Sequence, residues 1–245
     1  MSIPITAWTV FLYALVTAVA TGVGALPLLF VKHMSPRWMG LAGAAAAGLM
    51  AGASLGLVNE GIGRGAWRTA LGVLVGIVSI VVSRWLLAGK DVHWGALEGA
   101  DARRVLMMVG IMTAHSFSEG VGVGVSFGGG EALGVFITAA IAVHNIPEGL
   151  AISLSMVPRG TPVWKAALWS IFSSLPQPLM AVPAFLLVET FAPVLPVGLG
   201  FAAGAMTWMI VSELIPEALE HAGRAAVATV AVIATVAMLG FQAAL

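Results

Sequence analysis

Hydrophobic positions in this chain come in long, nearly unbroken stretches rather than in the one-sided stripes of a soluble helix. The stretches fall at about 5–31, 38–58, 66–88, 104–127, 131–157, 163–188, 195–220 and 224–244. A helix needs roughly 20 apolar residues to cross a bilayer, and none of the stretches alternates with a period of two, so helical spans are predicted and a barrel is not. The separators are short and rich in Gly, Pro and charge: "KHMSPR", "NEGIGRG", "FGGGE", "VPRGTP" and "APVLP". The longest, "AGKDVHWGALEGADARR", parts the third stretch from the fourth. No segment has the composition of a soluble domain. The expectation is one all-α, polytopic membrane domain over 1–245 with eight transmembrane helices. The opening stretch lacks a basic n-region and exceeds a signal-peptide core in length, so it is expected to be retained as the first span.

Composition narrows the function classes. The 245 residues are 60% hydrophobic and 9% charged, against roughly a quarter charged in soluble domains. Zero net charge argues against a nucleic-acid partner, and the absence of cysteine removes disulfides and thiolate metal ligands. The basic residues are distributed unevenly. With both termini outside, Lys32, Arg37, Arg84, Lys90, Arg103, Arg104, Arg159, Lys165 and Arg224 fall on the cytoplasmic side, and only Arg64 and Arg68 fall outside. That split follows the positive-inside rule, and an odd number of spans would scramble it. The prediction is a multi-pass protein of the cell's inner (plasma) membrane. Trp8, Trp38, Trp67, Trp85 and Trp164 sit near span ends, where their rings suit the lipid interface. Gly48, Gly52 and Gly56, and then Gly72 and Gly76, form ridges expected to pack helices within the protomer.

Two near-copies of one string interrupt this apolar background: "HSFSEG" from His115 to Gly120 and "HNIPEG" from His144 to Gly149. Residues four apart share a helix face, so His115 projects with Glu119 and His144 with Glu148. Each pair lies near mid-span, where an ionised carboxylate costs about 2.5–3.5 kcal/mol on the insertion scale. Two such carboxylates require a cation or protonation. The short turn between the fourth and fifth spans makes them antiparallel neighbours, so both pairs can meet at one point. Two antiparallel copies also suggest an inverted repeat. Two imidazoles and two carboxylates suit a first-row divalent metal such as zinc, iron or manganese. One His–Glu pair could simply neutralise itself; two matching pairs at equal depth point to metal. Pro147 withdraws a hydrogen bond from the carbonyl of Val143, and Pro176, Pro178 and Pro183 are predicted to break the sixth span. Ser116, Asn145, Ser173, Ser174 and Gln177 bring further polar groups to this depth. So much irregular, polar backbone at the midplane predicts a substrate path rather than a sealed structural site.

At these residues the chain resembles the ZIP family of divalent metal transporters. "HNIPEG" has the His-Asn-x-Pro-Glu-Gly form of that family's signature, and "HSFSEG" keeps its His and Glu-Gly with Ser116 and Ser118 in place of Asn and Pro. The seventh-span stretch "GFAAGAMTWMIVSELIPEALEH" is also similar to bacterial members, so the resemblance covers essentially the whole chain. It implies a homodimeric secondary transporter that moves zinc, or else iron, manganese or cadmium, toward the cytoplasm. The metal is then a transported substrate, with no cofactor and no catalysis. The resemblance also implies His115, Glu119, His144 and Glu148 as primary ligands, and a site-bearing helix group that slides against a static one in alternating access. Members with a two-metal centre usually carry Asn at the place of Ser116 and an acidic residue at that of Gln177. With both changed, two carboxylates balance one dication, and a single ion is expected. The family's histidine-rich cytosolic loop is reduced here to His93.

The rival reading is an intramembrane zinc-dependent hydrolase. A catalytic zinc commonly has three protein ligands and an open position, which four ligands would crowd, and no HExxH string is present. Glu213, Glu217 and His221, four apart near the cytoplasmic end of the seventh span, either receive departing metal on an exit path or solvate the helix end. Met108 and Met112 are expected to be packing residues, and Glu60 to lie at the surface.

Overall fold

The computed structural model describes residues 5–30, 35–87, 99–157, 160–190 and 192–244. Among them the regular structure is helical throughout: α1 (Ala7–Val23), α2 (Pro36–Leu87), α3 (Gly99–Gly128), α4 (Glu131–Met156), α5 (Val163–Ser174), α6 (Pro176–Thr190), α7 (Leu195–Met209), α8 (Ile215–His221) and α9 (Arg224–Ala244). A 3-10 turn at Leu26–Leu29 extends α1, and five residues of π-helix, Ile210–Leu214, join α7 to α8. Among the described residues, six segments are long and apolar enough to cross a membrane: Ala7–Leu29, Pro36–Val82, Glu131–Leu154, Val163–Val188, Leu195–His221 and Arg224–Ala243. The chain is a polytopic, all-helical membrane protein.

Local chemistry accounts for the boundaries. Thr6 caps α1 by accepting a hydrogen bond from the backbone N–H of Thr9. Gly65, with extended backbone at φ 162 and ψ 92, interrupts α2 and divides it into two helical limbs. The tight turn between α3 and α4 passes through Gly130 at φ 128, a conformation that residues with a Cβ rarely adopt. The fourth stretch is longer than its apolar run predicts, because the helix starts at Gly99 in polar sequence. In the sixth stretch the helix breaks once, at Leu175, and not at each proline. Pro176 and Pro178 fall in the first turn of α6, where an N–H has no intrahelical partner to lose. Pro183 is carried inside the helix.

Close packing sorts the helices into two interlocked groups. In the first, a Cβ on Gly24 would lie 2.2 Å from the carbonyl oxygen of Ile146, joining α1's end to α4; one on Gly124 would lie 2.0 Å from that of Ala181, joining α3 to α6. In the second, Gly72 and Gly76 meet the carbonyls of Val197 and Phe201 at 2.1 Å, while Gly200 and Gly204 reciprocate against Thr69 and Val73 at 2.2 Å. Gly48 meets Ala231 of α9 in the same manner, and Gly40 meets Ala218 of α8. Both predicted glycine ridges therefore pack within the protomer. Such contacts let helix backbones touch in lipid, where association depends on van der Waals packing more than on the hydrophobic effect. Between the groups, α3 packs on α7 and α2 on α4. There Gly198 faces the Val125 side chain and Gly122 faces the Ala202 methyl. Met112 is buried in the core beside Val109 and Met209, as a packing residue should be. Glu60 lies at the surface, paired with Arg64 at 2.7 Å. Arg64 also donates to the Gly129 carbonyl at 3.3 Å. The five interfacial tryptophans are all exposed.

Candidate metal centre

The second motif copy lies within α4 and the first within α3. Glu119, His144 and Glu148 are buried, and each offers one ligand atom within 4.8 Å of the others. His144 Nε2 and Glu119 Oε1 are 2.6 Å apart across the α3–α4 contact. The side chain of His115 lies outside the described residues, as does that of Met108; His93 lies outside them altogether.

Gln177 occupies the first turn of α6, immediately after the break at Leu175. Its Nε2 donates to Glu119 Oε2 at 2.6 Å. The sixth-span break thus sets a helix start at the buried centre, with the positive end of its dipole near a carboxylate. Asn145 donates from Nδ2 to the Thr17 carbonyl at 2.9 Å and to Gln177 Oε1 at 3.3 Å. The Thr17 hydroxyl donates to Gln177 Oε1 as well. Ser116, Ser173 and Ser174 are buried; Ser173 donates to the Ser170 carbonyl and Ser174 shares a 2.8 Å hydrogen bond with Thr21.

Each motif ends in a glycine that faces another helix's backbone. A Cβ on Gly149 would sit 1.6 Å from the Thr21 carbonyl oxygen, and one on Gly120 would sit 2.5 Å from that of Gln177. The residue after each glutamate therefore has to be small for α1 and α6 to come close enough to supply Thr17 and Gln177. Thr17 is a site residue that sequence patterning does not single out. Its signal is a stripe of hydroxyls at four-residue spacing, Thr9, Tyr13, Thr17 and Thr21, along one face of an otherwise largely apolar span.

Two buried polar atoms in the centre have no hydrogen-bond partner among the described residues: His144 Nδ1 and Asn145 Oδ1. Buried polar atoms are nearly always satisfied, so such orphans call for an explanation, and an imidazole nitrogen beside two carboxylates fits a divalent cation. Of the three polar residues in the seventh span, Glu217 and His221 line a narrow cavity of about 30 Å³ together with Glu148, between α2, α4 and α8. Glu213 falls in the π-helical turn, whose wider register offsets it from the other two.

An all-helical chain with membrane-length spans around a buried imidazole–dicarboxylate cluster is a polytopic membrane protein whose polar centre suits a metal cation. The family model described as "ZIP Zinc transporter" matches residues 95–243, which contain both motif copies. The chain belongs to the ZIP family, a family of transporters rather than enzymes. It is similar to a protein of Arabidopsis thaliana named for zinc transport, with 47% identity over 235 residues, covering 94% of this chain and 38% of that protein. It is also similar to the zinc transporter GufA of Myxococcus xanthus, 33% identical over 83% of this chain and 86% of the relative. The zinc transporter ZIPB of Bordetella bronchiseptica is 32% identical over 91% of this chain and 76% of the relative. The hydrolase alternative is not favoured.

Proposed function

We propose that the chain is a secondary transporter that moves divalent transition-metal ions, zinc foremost, across the inner (plasma) membrane toward the cytoplasm by alternating access. The observation that carries this reading is the buried convergence of Glu119, His144 and Glu148 from two neighbouring helices. His115, four residues before Glu119, is the fourth ligand in this reading. One dication against the two carboxylates is electrically balanced, whereas a second would leave excess charge at the midplane. One bound ion per protomer is therefore expected. Anomalous diffraction at a metal edge counts the ions, and two fully occupied peaks would overturn the charge argument.

The cavity shared by Glu148, Glu217 and His221 supports an exit path, with Glu213 one turn deeper. The two interlocked groups support relative motion, because backbone-to-backbone glycine contacts lie within each group and the glycines between the groups face side chains. Division of α2 at Gly65, together with the length of α3, supports the reading of eight crossings in one domain, with α3 and α4 read as inverted copies. An even number of crossings puts both termini on one side, and the distribution of Lys and Arg favours the outside. Single cysteines introduced into this cysteine-free chain test the orientation: an impermeant maleimide applied to intact cells should label residues 59–65 and leave 89–103 unlabelled. The reverse pattern inverts the topology. The assembly is taken as a homodimer, which native mass spectrometry of the purified protein counts directly.

The function is tested with purified protein in liposomes that hold a zinc-sensitive dye. Saturable zinc influx is expected. Absence of flux in vesicles shown to contain folded protein would sink the transport reading.

A further inference from the structure

We propose that Thr17 of α1 is a positioning residue for the metal centre: its hydroxyl selects the orientation of the Gln177 carboxamide and thereby sets how Glu119 faces the ion. The proposal rests on the reading above that Glu119 binds the ion.

The two ends of a carboxamide are almost the same in shape but opposite in hydrogen bonding. Packing alone therefore cannot decide which end of Gln177 meets Glu119. Neighbouring donors can. Gln177 Oε1 receives the Thr17 hydroxyl, whose single proton is shared with the Ala14 carbonyl at 2.7 Å, and, at 3.3 Å, Asn145 Nδ2. With its oxygen held there, the amide must turn Nε2 toward Glu119, where it donates to Oε2 at 2.6 Å. The reverse orientation would set the amide oxygen against a carboxylate, two acceptors face to face in a site with no bulk water to separate them.

Residue 17 organises both donors. Its hydroxyl acts directly, and its backbone carbonyl holds Asn145 Nδ2 at 2.9 Å. Thr17, Asn145, Gln177 and Glu119 are all fully buried. The result is a division of labour on Glu119. Oε2 is occupied by a neutral donor, while Oε1, 2.6 Å from His144 Nε2, remains on the side shared with the other metal-ligand candidates. Gln177 thus presents an N–H on one flank of the carboxylate, and the ion is left the other flank.

Hydroxyls also serve in membrane helices as simple interhelical glue, as the Thr21–Ser174 pair does just before the break at Leu175. Glue acts on assembly. A positioning role acts on the metal through Gln177, and the two make different predictions.

Zinc affinity of the purified full-length protein, measured by competition with a chromophoric chelator, is compared across T17V, T17S, Q177L and the double variant T17V/Q177L. Loss of the hydroxyl leaves the buried Gln177 oxygen short of its nearer donor, and T17V should bind zinc about tenfold more weakly. T17S keeps the hydroxyl and should stay within about twofold of the wild type. Because the effect runs through Gln177, adding T17V to Q177L should cost less than about twofold more. Wild-type affinity in T17V, no rescue by T17S, or fully additive losses in the double variant would each overturn the proposal. Thr17→Ala replaces Thr17→Val if the valine protein does not insert. Glu119→Ala in the same assay separates the two levels of the argument. Zinc binding lost in that variant but unchanged in T17V defeats only the positioning role. Wild-type binding in Glu119→Ala removes the centre itself.

Discussion

Alanine in place of His144 lowers zinc influx into liposomes by about two orders of magnitude or more, while the protein still inserts and purifies as a folded species. His144 and Glu119 are both fully buried and lie 2.6 Å apart, so removing the imidazole takes away the partner of Glu119 Oε1 in the membrane interior and leaves the neutral Gln177 donor on Oε2. Breaking a buried pair by deleting one partner costs about 3–5 kcal/mol, enough for a loss of that size when it falls on the ion-bound state. The imidazole is also a ligand in the proposed centre, and its Nδ1 has no other partner among the described residues. Glu148→Ala should fall as far. The double variant should be little worse than either alone, because residues of one centre do not contribute additively. Normal influx through His144→Ala would place the ion elsewhere.

The second large effect is expected at a residue that carries no chemistry. Gly149→Ala adds a single methyl, yet that carbon would sit 1.6 Å from the Thr21 carbonyl oxygen and 2.6 Å from its carbon. Both belong to backbone and cannot rotate away. Helices α1 and α4 must therefore separate, and overpacking of this kind typically costs about 1–3 kcal/mol and occasionally more. The upper end is expected here, with a fall of several degrees in the unfolding temperature in detergent and a loss of zinc affinity as Thr17 withdraws. Gly240→Ala is the control. A Cβ there meets no atom within 4 Å, and alanine in a helix interior is favoured over glycine by roughly 0.5–1 kcal/mol. Equal thermal stability of the two variants would mean that α1 and α4 are less tightly packed than this spacing requires.

Much of the centre is legible in the amino-acid sequence, because it rests on periodicity. Four-residue spacing places Glu148 with His144 on α4, and the short Gly-rich turn makes α3 its neighbour. What periodicity cannot supply is the identity of partners across the chain. The ridge at Gly72 and Gly76 is visible as a small-residue face, but its match to the carbonyls of α7 depends on a contact between residues more than a hundred positions apart in sequence. Thr17 goes unmarked for the same reason. The stripe of Thr9, Tyr13, Thr17 and Thr21 marks a polar face, but only the meeting with Gln177 tells which hydroxyl reaches the centre. Residue spacing in the seventh span predicts one regular helix, which would align Glu213 with Glu217 and His221. The π-turn at Ile210–Leu214 breaks that alignment, and its one signal in the sequence is Pro216, which has no N–H to give the Ser212 carbonyl. In the sixth span the prolines mark a break correctly but not its place, since a proline in a first turn leaves the helix intact.

The two interlocked groups are interleaved along the chain, and that fixes an order of events during biosynthesis. Among the described residues, the first span finds its tightest backbone-to-backbone contact with α4, and α2 finds its own with α7, α8 and α9, which are made last. Neither can complete its packing as it leaves the ribosome. Each must first be stable as a lone helix in lipid, which the apolar composition of both permits, and the docking of helices then follows as a separate stage. Nascent chains that have emerged only through α6 would already hold every helix of the metal centre, with α2 still bare along both of its glycine-lined faces.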